Sequence, residues 1–533
     1  MSDEKDLTFD QTFDLAIQNH QNNNLQDAKN YYQKVLKIDP NHLGALNNLG
    51  VIYKNLQDYQ KAKDCYEKII EIDPNHATAL NNLGGVFKKL GENQKAKDCY
   101  EKIIEIDPNH ADALNGLGAI YKILKENEKA KKSFEKVIEL KPDHIDAHNN
   151  LGNVFKELGE NQKAKDCFEK AIEIDPNHVE AYNNLGVLLL TAGKIKEAKS
   201  CYEKVIEINS NYVDAHNNLG NVFTELGQRQ KAKDCYEKAI EIDPNHVSAL
   251  CNLAVVFLEL RENQKAKNCY EKALEIDPDN VVISNGLLKT LYKMNNQSIL
   301  FKELDSMIIE GKMNAVIGSI CSRAEAKYGV KKENPFCNDP LNYFLKTNLT
   351  EKYDFKNVII KCVNNILDNN FISNRTQKLI TNGYQTAGNL FTNLDFNTSE
   401  IQNIIHAEIE KYRFHFKDSK ECFIKNWPTN YNLNGWLINM KKGGKLSPHM
   451  HDLGWLSGSV YVNVPQKLKT DSGNLVVCID DEVSKLDKNK NEKSIDVVTG
   501  NLCLFPSSLL HYTIPFESDE ERIVLAFDVI PIN

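Results

Sequence analysis

The sequence Lys61-Ala-Lys-Asp-Cys-Tyr-Glu-Lys-Ile-Ile-Glu-Ile-Asp-Pro-Asn-His76 occurs twice, because residues 95–110 repeat it without a change. Its Asp-Pro pair, or an equivalent pair, begins at residues 39, 73, 107, 141, 175, 209, 243 and 277, always 34 residues apart. Proline cannot continue a helix, so each copy closes one helical unit and leads into the next. The period predicts a tandem array of about eight helical repeats.

The packing positions of these repeats resemble those of the tetratricopeptide repeat (TPR) family. In the second copy, the residues that carry the resemblance are Leu46, Leu49, Gly50, Tyr53, Ala62, Tyr66 and Pro74. Small residues such as Gly50 and Ala62 let two antiparallel helices approach, and we expect Tyr53 to fill the space beside them. The resemblance implies an all-α TPR superhelix.

Asparagine recurs at the sixth position of the first helix of the repeats. The positions are Asn48, Asn82, Asn150, Asn184, Asn218 and Asn252, with Gly116 as the exception. In this family the helix lines the concave groove, and the ladder resembles that of O-GlcNAc transferase repeats, whose amides bind an extended peptide backbone. The resemblance implies a protein or peptide in the groove. Recent duplication alone could also preserve the ladder, although asparagine is a poor helix former and persists in repeats that differ elsewhere.

Histidine follows the Pro-Asn or Pro-Asp turn in most repeats, just before the next first helix. These residues are His42, His76, His110, His144, His178 and His246. No carboxylate or thiol accompanies them at the spacing of metal ligands. We therefore interpret them as capping residues.

Composition argues against several classes of partner. The net charge of −9 and the pI near 5.9 show no basic footprint for nucleic acid. The N-terminus is acidic where a signal peptide would be basic, and no apolar stretch is long enough to span a bilayer. Six of the 13 cysteines recur at one repeat position and would be too far apart to bridge. We expect a cytoplasmic protein with reduced thiols and no membrane partner.

A second decisive stretch, Ser447–Pro465, reads S-P-H-M-H-D-L-G-W-L-S-G-S-V-Y-V-N-V-P. His449 and His451 are two residues apart, so in an extended strand both rings project from one face. His511 ends another β-like run, and Arg522 opens a third. Neighbouring imidazoles followed by a distant one indicate a metal site.

These residues resemble the Fe(II)/2-oxoglutarate-dependent dioxygenases, most closely a branch with an H-x-H-x(5)-S-G-x-x-Y pattern. The resemblance implies a double-stranded β-helix, the cupin-like jelly roll, which binds Fe(II) and uses 2-oxoglutarate as co-substrate. It places His449 as the first ligand and His511 as the distal ligand. Arg522 would bind the far carboxylate of 2-oxoglutarate, a task suited to a planar guanidinium. Tyr461 would donate a further hydrogen bond.

The third ligand is open at this stage. The family's usual pattern has Asp or Glu at the position of His451, and here Asp452 follows that histidine directly. Strand periodicity favours His451, because Asp452 would face away in an unbroken strand. Charge favours Asp452, because a carboxylate stabilises Fe(II) more.

The resulting fold class is an α + β multidomain chain. We expect an N-terminal cap and degenerate repeat in residues 1–42, the TPR array in 43–280, and capping helices and a linker in 281–333. Residues 334–533 would form the oxygenase domain with flanking helices, and 431–533 its strand core. The expected function is a hydroxylase whose repeats bind a protein or peptide.

Two other functions stay open. One is a non-catalytic TPR scaffold with a degenerate jelly roll. The other is a structural or hydrolytic Zn²⁺ site, which three histidines would also suit.

Overall fold

The protein was examined as a computed structural model, which describes residues 7–368, 374–375, 379–386, 388–392, 397–467, 469–480 and 491–532. The acidic N-terminus used in the expectation of a cytoplasmic protein lies outside these ranges. The chain divides into two compact units, Met1–Asn184 and Leu185–Asn533.

Helices joined by short turns fill the chain from residue 9 to residue 328. Their bounds are α1 (Phe9–Gln21), α2 (Leu25–Ile38), α3 (Leu43–Asn55), α4 (Tyr59–Ile72), α5 (Ala77–Lys89), α6 (Asn93–Ile106), α7 (Ala111–Ile123), α8 (Asn127–Leu140), α9 (Ile145–Glu157), α10 (Asn161–Ile174), α11 (Val179–Thr191), α12 (Ile195–Ile208), α13 (Val213–Glu225), α14 (Arg229–Ile242), α15 (Val247–Glu259), α16 (Asn263–Ile276), α17 (Val281–Lys293), α18 (Gln297–Ile309) and α19 (Ala315–Tyr328).

In six of the repeats, a glycine of the first helix contacts an aromatic ring of the second helix. A Cβ atom added at this glycine would lie only 2.5–2.8 Å from the ring, so a larger residue cannot fit without displacing it. The pairs are Gly50–Tyr66, Gly84–Tyr100, Gly118–Phe134, Gly152–Phe168, Gly186–Tyr202 and Gly220–Tyr236. The ring nearest Gly50 is therefore that of Tyr66 in the second helix. The sequence had suggested Tyr53 instead.

The turn histidines cap the helices that follow them. In each case the ring Nδ1 accepts a hydrogen bond from the backbone N–H three residues later, at 3.1–3.2 Å. The residues are His42, His76, His110, His144, His178 and His246. These bonds satisfy one of the free N–H groups at each helix start, which confirms the capping interpretation.

The rest of the chain combines short helices with strands. A 3-10 helix covers Pro340–Tyr343 and a π-helical turn covers Lys356–Ile360. The remaining bounds are α20 (Lys361–Leu367), α21 (Ser399–His415), α22 (Cys422–Lys425), β1 (Leu345–Asn348), β2 (Asn374–Arg375), β3 (Ile380–Thr386), β4 (Tyr431–His449), β5 (Leu456–Asn463), β6 (Leu475–Cys478), β7 (Glu492–Ile495), β8 (Asn501–Pro506), β9 (Leu510–Thr513) and β10 (Arg522–Pro531).

The strands form one antiparallel arrangement in which the long strand β4 belongs to two halves. Residues 431–440 of β4 pair with β10, and Leu446 and His449 pair with β9. One half therefore has the order β8-β5-β10-β4 and the other β4-β9-β6-β7. Two four-stranded halves linked in this way form a jelly roll. The predicted fold class, TPR helices followed by an antiparallel β domain, is confirmed.

The sheet also extends beyond the expected strand core of residues 431–533. Strand β1 pairs with β8, and β3 pairs with β4 on the edge opposite β10 and β9. Short strands separated by polar residues carry a weak periodic signal, so the sequence did not reveal them.

Helix α21 covers one face of this domain. Its buried residues Ile405, Ile409 and Tyr412 pack in one apolar cluster with Phe423 and Trp455. The cluster excludes water from one side of the jelly roll and leaves the polar pocket to the other.

Within the described ranges, no helix is both long enough and apolar enough to cross a membrane.

Two adjacent glycines of α5 allow the glycine–ring contact to be tested. A Cβ at Gly84 would lie 2.8 Å from the Tyr100 ring, whereas at Gly85 the nearest atom is the Tyr100 hydroxyl at 3.9 Å. Gly84→Ala should destabilise the array by about 1–3 kcal/mol through overpacking. Gly85→Ala should stabilise it by up to about 1 kcal/mol, because alanine is the better helix former.

The measurement is the urea midpoint of the helical circular dichroism signal. Equal midpoints for the two variants would contradict the packing role of Gly84.

Candidate metal and anion site

Three histidines converge in one pocket of the jelly roll. His449 is the last residue of β4, His451 follows in the next turn, and His511 lies on β9 opposite His449. Their ring centroids are 4.2–5.1 Å apart, and one ligand nitrogen from each lies within 4.8 Å of the others. The structure therefore brings together the three histidines that the sequence singled out.

A β-bulge places His449 inward. Leu446 and His449 both line the pocket although they are three residues apart, an odd spacing that should put them on opposite faces. The register between β4 and β9 shifts between these two residues. The extra residue restores the inward direction.

The hydrogen bonds of two rings leave Nε2 available to a ligand. His449 Nδ1 lies 2.9 Å from the Ser447 carbonyl oxygen, and His451 Nδ1 lies 2.7 Å from Asp528 Oδ1. Both acceptors require a proton on Nδ1, so Nε2 carries the free lone pair. His511 is 5% exposed, and its Nδ1 has no hydrogen-bond partner among the described residues. The set presents imidazole nitrogens suited to a transition metal.

The environment keeps two of the rings neutral. Burial, followed by the neighbouring His451, lowers the pKa of His449 to about 4. Burial also lowers the pKa of His511 well below its usual value. Burial disfavours the charged ring of His451 as well, but the Asp528 carboxylate outweighs it and raises the pKa of His451. Neutral imidazole is the form that binds metals.

Arg522 supplies a buried positive charge to the same pocket. It is 1% exposed, and its Nη1 donates to the Gly473 carbonyl oxygen. Its Nε and Nη2 make no well-aligned hydrogen bond within the described part of the chain, and the Tyr461 side chain is within hydrogen-bonding reach of the guanidinium. The guanidinium carbon lies 5.1 Å from the centre of the Tyr461 ring, which is also buried. A buried guanidinium with unpaired donors is costly unless an anion reaches it.

The pocket joins these two features. His449, His451, His511, Arg522 and Tyr461 all line it. The apolar part of its wall includes Trp436, Ile438, Met440, Leu475 and Val524. It therefore combines three candidate metal ligands, a buried cation and an apolar wall in one place.

Asp452 lies outside the cluster. Its carboxylate forms an ion pair with Lys289 on α17, in the same compact unit. Nearby on α17, the Tyr292 hydroxyl donates to Asp480 at 3.0 Å. Asp452 thus faces α17 and not the histidines. Strand β4 ends at His449, so the turn that follows directs Asp452, and not the alternation of an unbroken strand.

The asparagine ladder is partly occupied by bonds between repeats. The sixth-position amide donates to the fifth-position asparagine of the preceding repeat at 2.9–3.4 Å, in the pairs Asn82–Asn47, Asn150–Asn115, Asn184–Asn149 and Asn252–Asn217. Asn48 donates to the Tyr32 hydroxyl, and Asn218 accepts from Asn217 at 3.5 Å. Asn252 donates to Asn221 as well, at 3.1 Å. A side-chain amide has two N–H donors and an oxygen with two lone pairs, so a single bond leaves it capacity for others.

Sequence reasoning missed Asp528, Ser457 and Ser507, which hydrogen-bond to one another beside His451. One feature of the sequence could have revealed Asp528. Asp528 shares the alternation of Arg522, Val524 and Ala526 on β10, and those three line the pocket. A carboxylate on the inward face of a strand needs a partner.

Comparisons with known proteins find matches both to the repeats and to the C-terminal β domain. A family described as "Putative 2OG-Fe(II) oxygenase" matches residues 434–528, and tetratricopeptide repeat families match residues 19–42 and 44–76. The chain is a tetratricopeptide repeat protein with a C-terminal domain of the 2OG-Fe(II) oxygenase family. The C-terminal domain family of cilia and flagella-associated protein 70 also matches residues 74–281 of the repeats.

Solved structures resemble the repeats. YrrB, described as a TPR protein with an unusual peptide-binding site, is 30% identical over 35% of this chain and 95% of its own, with a TM-score of 0.28. A chain of the APC/C hetero-tetramer Cut9-Hcn1 is 17% identical, with a TM-score of 0.43. The match covers 53% of this chain and only 56% of that chain. A TPR protein from Parabacteroides merdae is 20% identical over 47% of this chain and 98% of its own, with a TM-score of 0.42. A search of curated proteins found no match.

The residues of the oxygenase domain fit the iron and 2-oxoglutarate that its family implies. Three imidazoles meet at one point, and Arg522 has donors that no described residue accepts. The convergence of the imidazoles and these donors of Arg522 are features of the structure and do not depend on the family match.

The geometry separates the two candidate third ligands. His451→Ala should abolish binding of Co(II), used as a probe of the site, because it removes one of the three converging rings. Asp452→Ala should change the affinity by less than about threefold, because this carboxylate pairs with Lys289.

Isothermal titration with Co(II) measures both. Loss of binding in Asp452→Ala together with retention in His451→Ala would reverse the assignment.

Proposed function

We propose that residues 334–533 form an Fe(II)- and 2-oxoglutarate-dependent oxygenase, a hydroxylase, and that the TPR array binds its protein or peptide substrate. One observation carries the enzymatic part: three converging histidines share a pocket with a buried arginine, Arg522, whose Nε and Nη2 have no acceptor among the described residues. The family match over residues 434–528 supports the same reaction class.

His449, His451 and His511 would hold the iron through one nitrogen each. Three protein ligands on one side leave other positions open, as oxygenase chemistry requires. When bound, Fe(II) supplies the redox chemistry that couples O₂ to oxidation of 2-oxoglutarate and of a substrate C–H bond.

Arg522 would bind the distal carboxylate of 2-oxoglutarate. Its Nε and Nη2 form one edge of the guanidinium fork, which matches the two oxygens of a carboxylate. This pairing would also neutralise a charge that the domain otherwise buries alone. A purely structural Zn²⁺ site gives no reason to bury such an arginine beside the metal ligands.

Tyr461 would act as a second donor to the same co-substrate. Burial is the main cause that raises the pKa of its hydroxyl, so the group keeps its proton. A neutral hydroxyl can donate to a carboxylate, whereas a phenolate cannot.

The apolar wall would exclude water from the reacting groups. Trp436 packs edge-on against His451, with ring centroids 5.2 Å apart. Excluding water strengthens the electrostatic interactions that orient bound groups. We also propose a cytoplasmic location, because the six cysteines that recur at one repeat position would be too far apart to bridge one another, which suits a reducing compartment.

The repeats would hold an extended polypeptide through the sixth-position asparagines. Each amide can donate or accept beyond its bond to the neighbouring repeat, and amides pair with peptide backbone without reading its sequence. Binding remote from the reacting bond would lower the cost of positioning the substrate.

The enzymatic proposal is tested by anaerobic titration of Fe(II) and 2-oxoglutarate. We expect a visible charge-transfer band that needs both components, and substrate-free turnover of 2-oxoglutarate when O₂ is admitted. Arg522→Met should weaken 2-oxoglutarate binding by about 100-fold or more, because it removes a buried charged partner, while Co(II) affinity stays within about threefold.

Arg522→Lys is the matched control, since it keeps the charge but loses the fork, and it should recover only part of the affinity. Neither a band nor turnover in the wild type would leave a binding scaffold as the better function.

The peptide proposal is tested within one unit by a matched pair of double variants. Asn150→Ala with Asn184→Ala removes two donors, and Asn115→Ala with Asn149→Ala removes their acceptors. Both pairs break the same inter-repeat bonds, so they should lower the urea midpoint equally. Only the donor pair should weaken binding of unfolded polypeptide, measured by fluorescence anisotropy with labelled reduced casein.

Equal binding by the two pairs would show that the ladder only joins repeats. A small-molecule or glycan substrate would then be favoured.

A further inference from the structure

We infer that Asp528 is a positioning residue that gives the metal site, through His451, the negative charge that a carboxylate ligand would otherwise provide. The inference rests on the proposed metal binding by the three histidines, and it concerns a residue outside that ligand set.

Asp528 is held inside the jelly roll by specific bonds. It is 5% exposed, and its Oδ1 accepts from His451 Nδ1 at 2.7 Å and from Ser457 Oγ at 2.8 Å. Ser457 Oγ also lies 2.8 Å from Ser507 Oγ. Among the described residues, the ion pair of Asp528 is formed with His451. The carboxylate is therefore directed to one ring of the cluster.

The backbone of Gly454 packs closely against Asp528 and Ser507. A Cβ at Gly454 would lie 2.5 Å from Ser507 Oγ and 3.2 Å from Asp528 Oδ1. Gly454 N–H also donates to the His451 carbonyl at 3.2 Å, closing the turn that carries the histidine. The turn and the Asp528 carboxylate thus hold the His451 ring in place.

The group that accepts a hydrogen bond from Nδ1 differs among the three histidine rings. His449 has a backbone carbonyl, that of Ser447, at its Nδ1. His511 Nδ1 has no described partner. His451 has a carboxylate, which both orients the ring and raises the basicity of the nitrogen on its far side. The strongest of the three donors to a metal should therefore be His451.

Charge balance gives this arrangement its purpose. Three imidazoles add no negative charge around a divalent cation, and Arg522 adds a positive charge to the same pocket. Buried charges of one sign are unfavourable unless a group of opposite sign is close. Asp528 is close to the ligand set without occupying a coordination position.

The test compares Co(II) binding to three full-length proteins. Asp528→Asn keeps the shape and can still accept a hydrogen bond, but it removes the charge. Ser457→Ala is the matched control, because it removes a bond to Asp528 and leaves the charge. We expect Asp528→Asn to raise the Co(II) Kd by about 10- to 100-fold and to shift the visible ligand-field bands, while Ser457→Ala stays within about threefold of the wild type with unchanged bands.

The outcomes distinguish this inference from the proposed function. Unchanged Kd and bands in Asp528→Asn, or equal weakening in both variants, overturn the role of Asp528 and leave the metal site standing. A wild type that binds Co(II) but shows no 2-oxoglutarate turnover overturns the enzymatic proposal alone. A wild type that binds no Co(II) overturns both.

A second measurement needs no change at residue 528. In ¹⁵N NMR spectra of the histidine rings of the metal-free wild type, two rings of the cluster should carry a hydrogen-bonded proton on Nδ1, and one of these protons should show the strong hydrogen bond expected of a carboxylate acceptor. This signal should vanish in His451→Ala. Its absence from the wild type overturns the inference even if Asp528→Asn fails to fold.

Discussion

The pocket of the oxygenase domain depends on the hydrogen bonding of one long strand, β4. Its first half is bonded to β10, which carries Arg522 and Asp528, and its end is bonded to β9, which carries His511. A strand shared by two halves fixes the distance between Arg522 and the three histidines. A one-residue change in its register would move the pocket side chains that β4 itself carries, such as Met440 and His449, to the opposite face.

The helical array was predictable because its signal is redundant. A 34-residue period repeated along the chain leaves one register, and the small residues at the helix crossing follow from it. Contacts that depend on three-dimensional neighbours were less predictable. The identity of the ring beside Gly50, Tyr66 and not Tyr53, depends on side-chain direction. The pairs of asparagines join residues 35 positions apart, which no local pattern reveals.

The site could be predicted only where the spacing of residues along the sequence determines which way their side chains point. Two histidines two residues apart point the same way in a strand, so their convergence could be expected. The bulge before His449 and the turn after His451 have no such signature, so the place of Asp452 stayed open. Asp528 was missed because its partner lies 77 residues away in the sequence and 2.7 Å away in the structure.

The spacing of the asparagine pairs limits how the array can change in length. Each bond joins residues separated by one repeat plus one position. Adding or removing one whole 34-residue unit therefore recreates the same bond between the new neighbours, whereas a change of any other length breaks it. Unequal crossing-over between identical segments such as residues 61–76 and 95–110 alters the chain by one whole unit. The array can thus vary its number of repeats by recombination without losing its internal bonding.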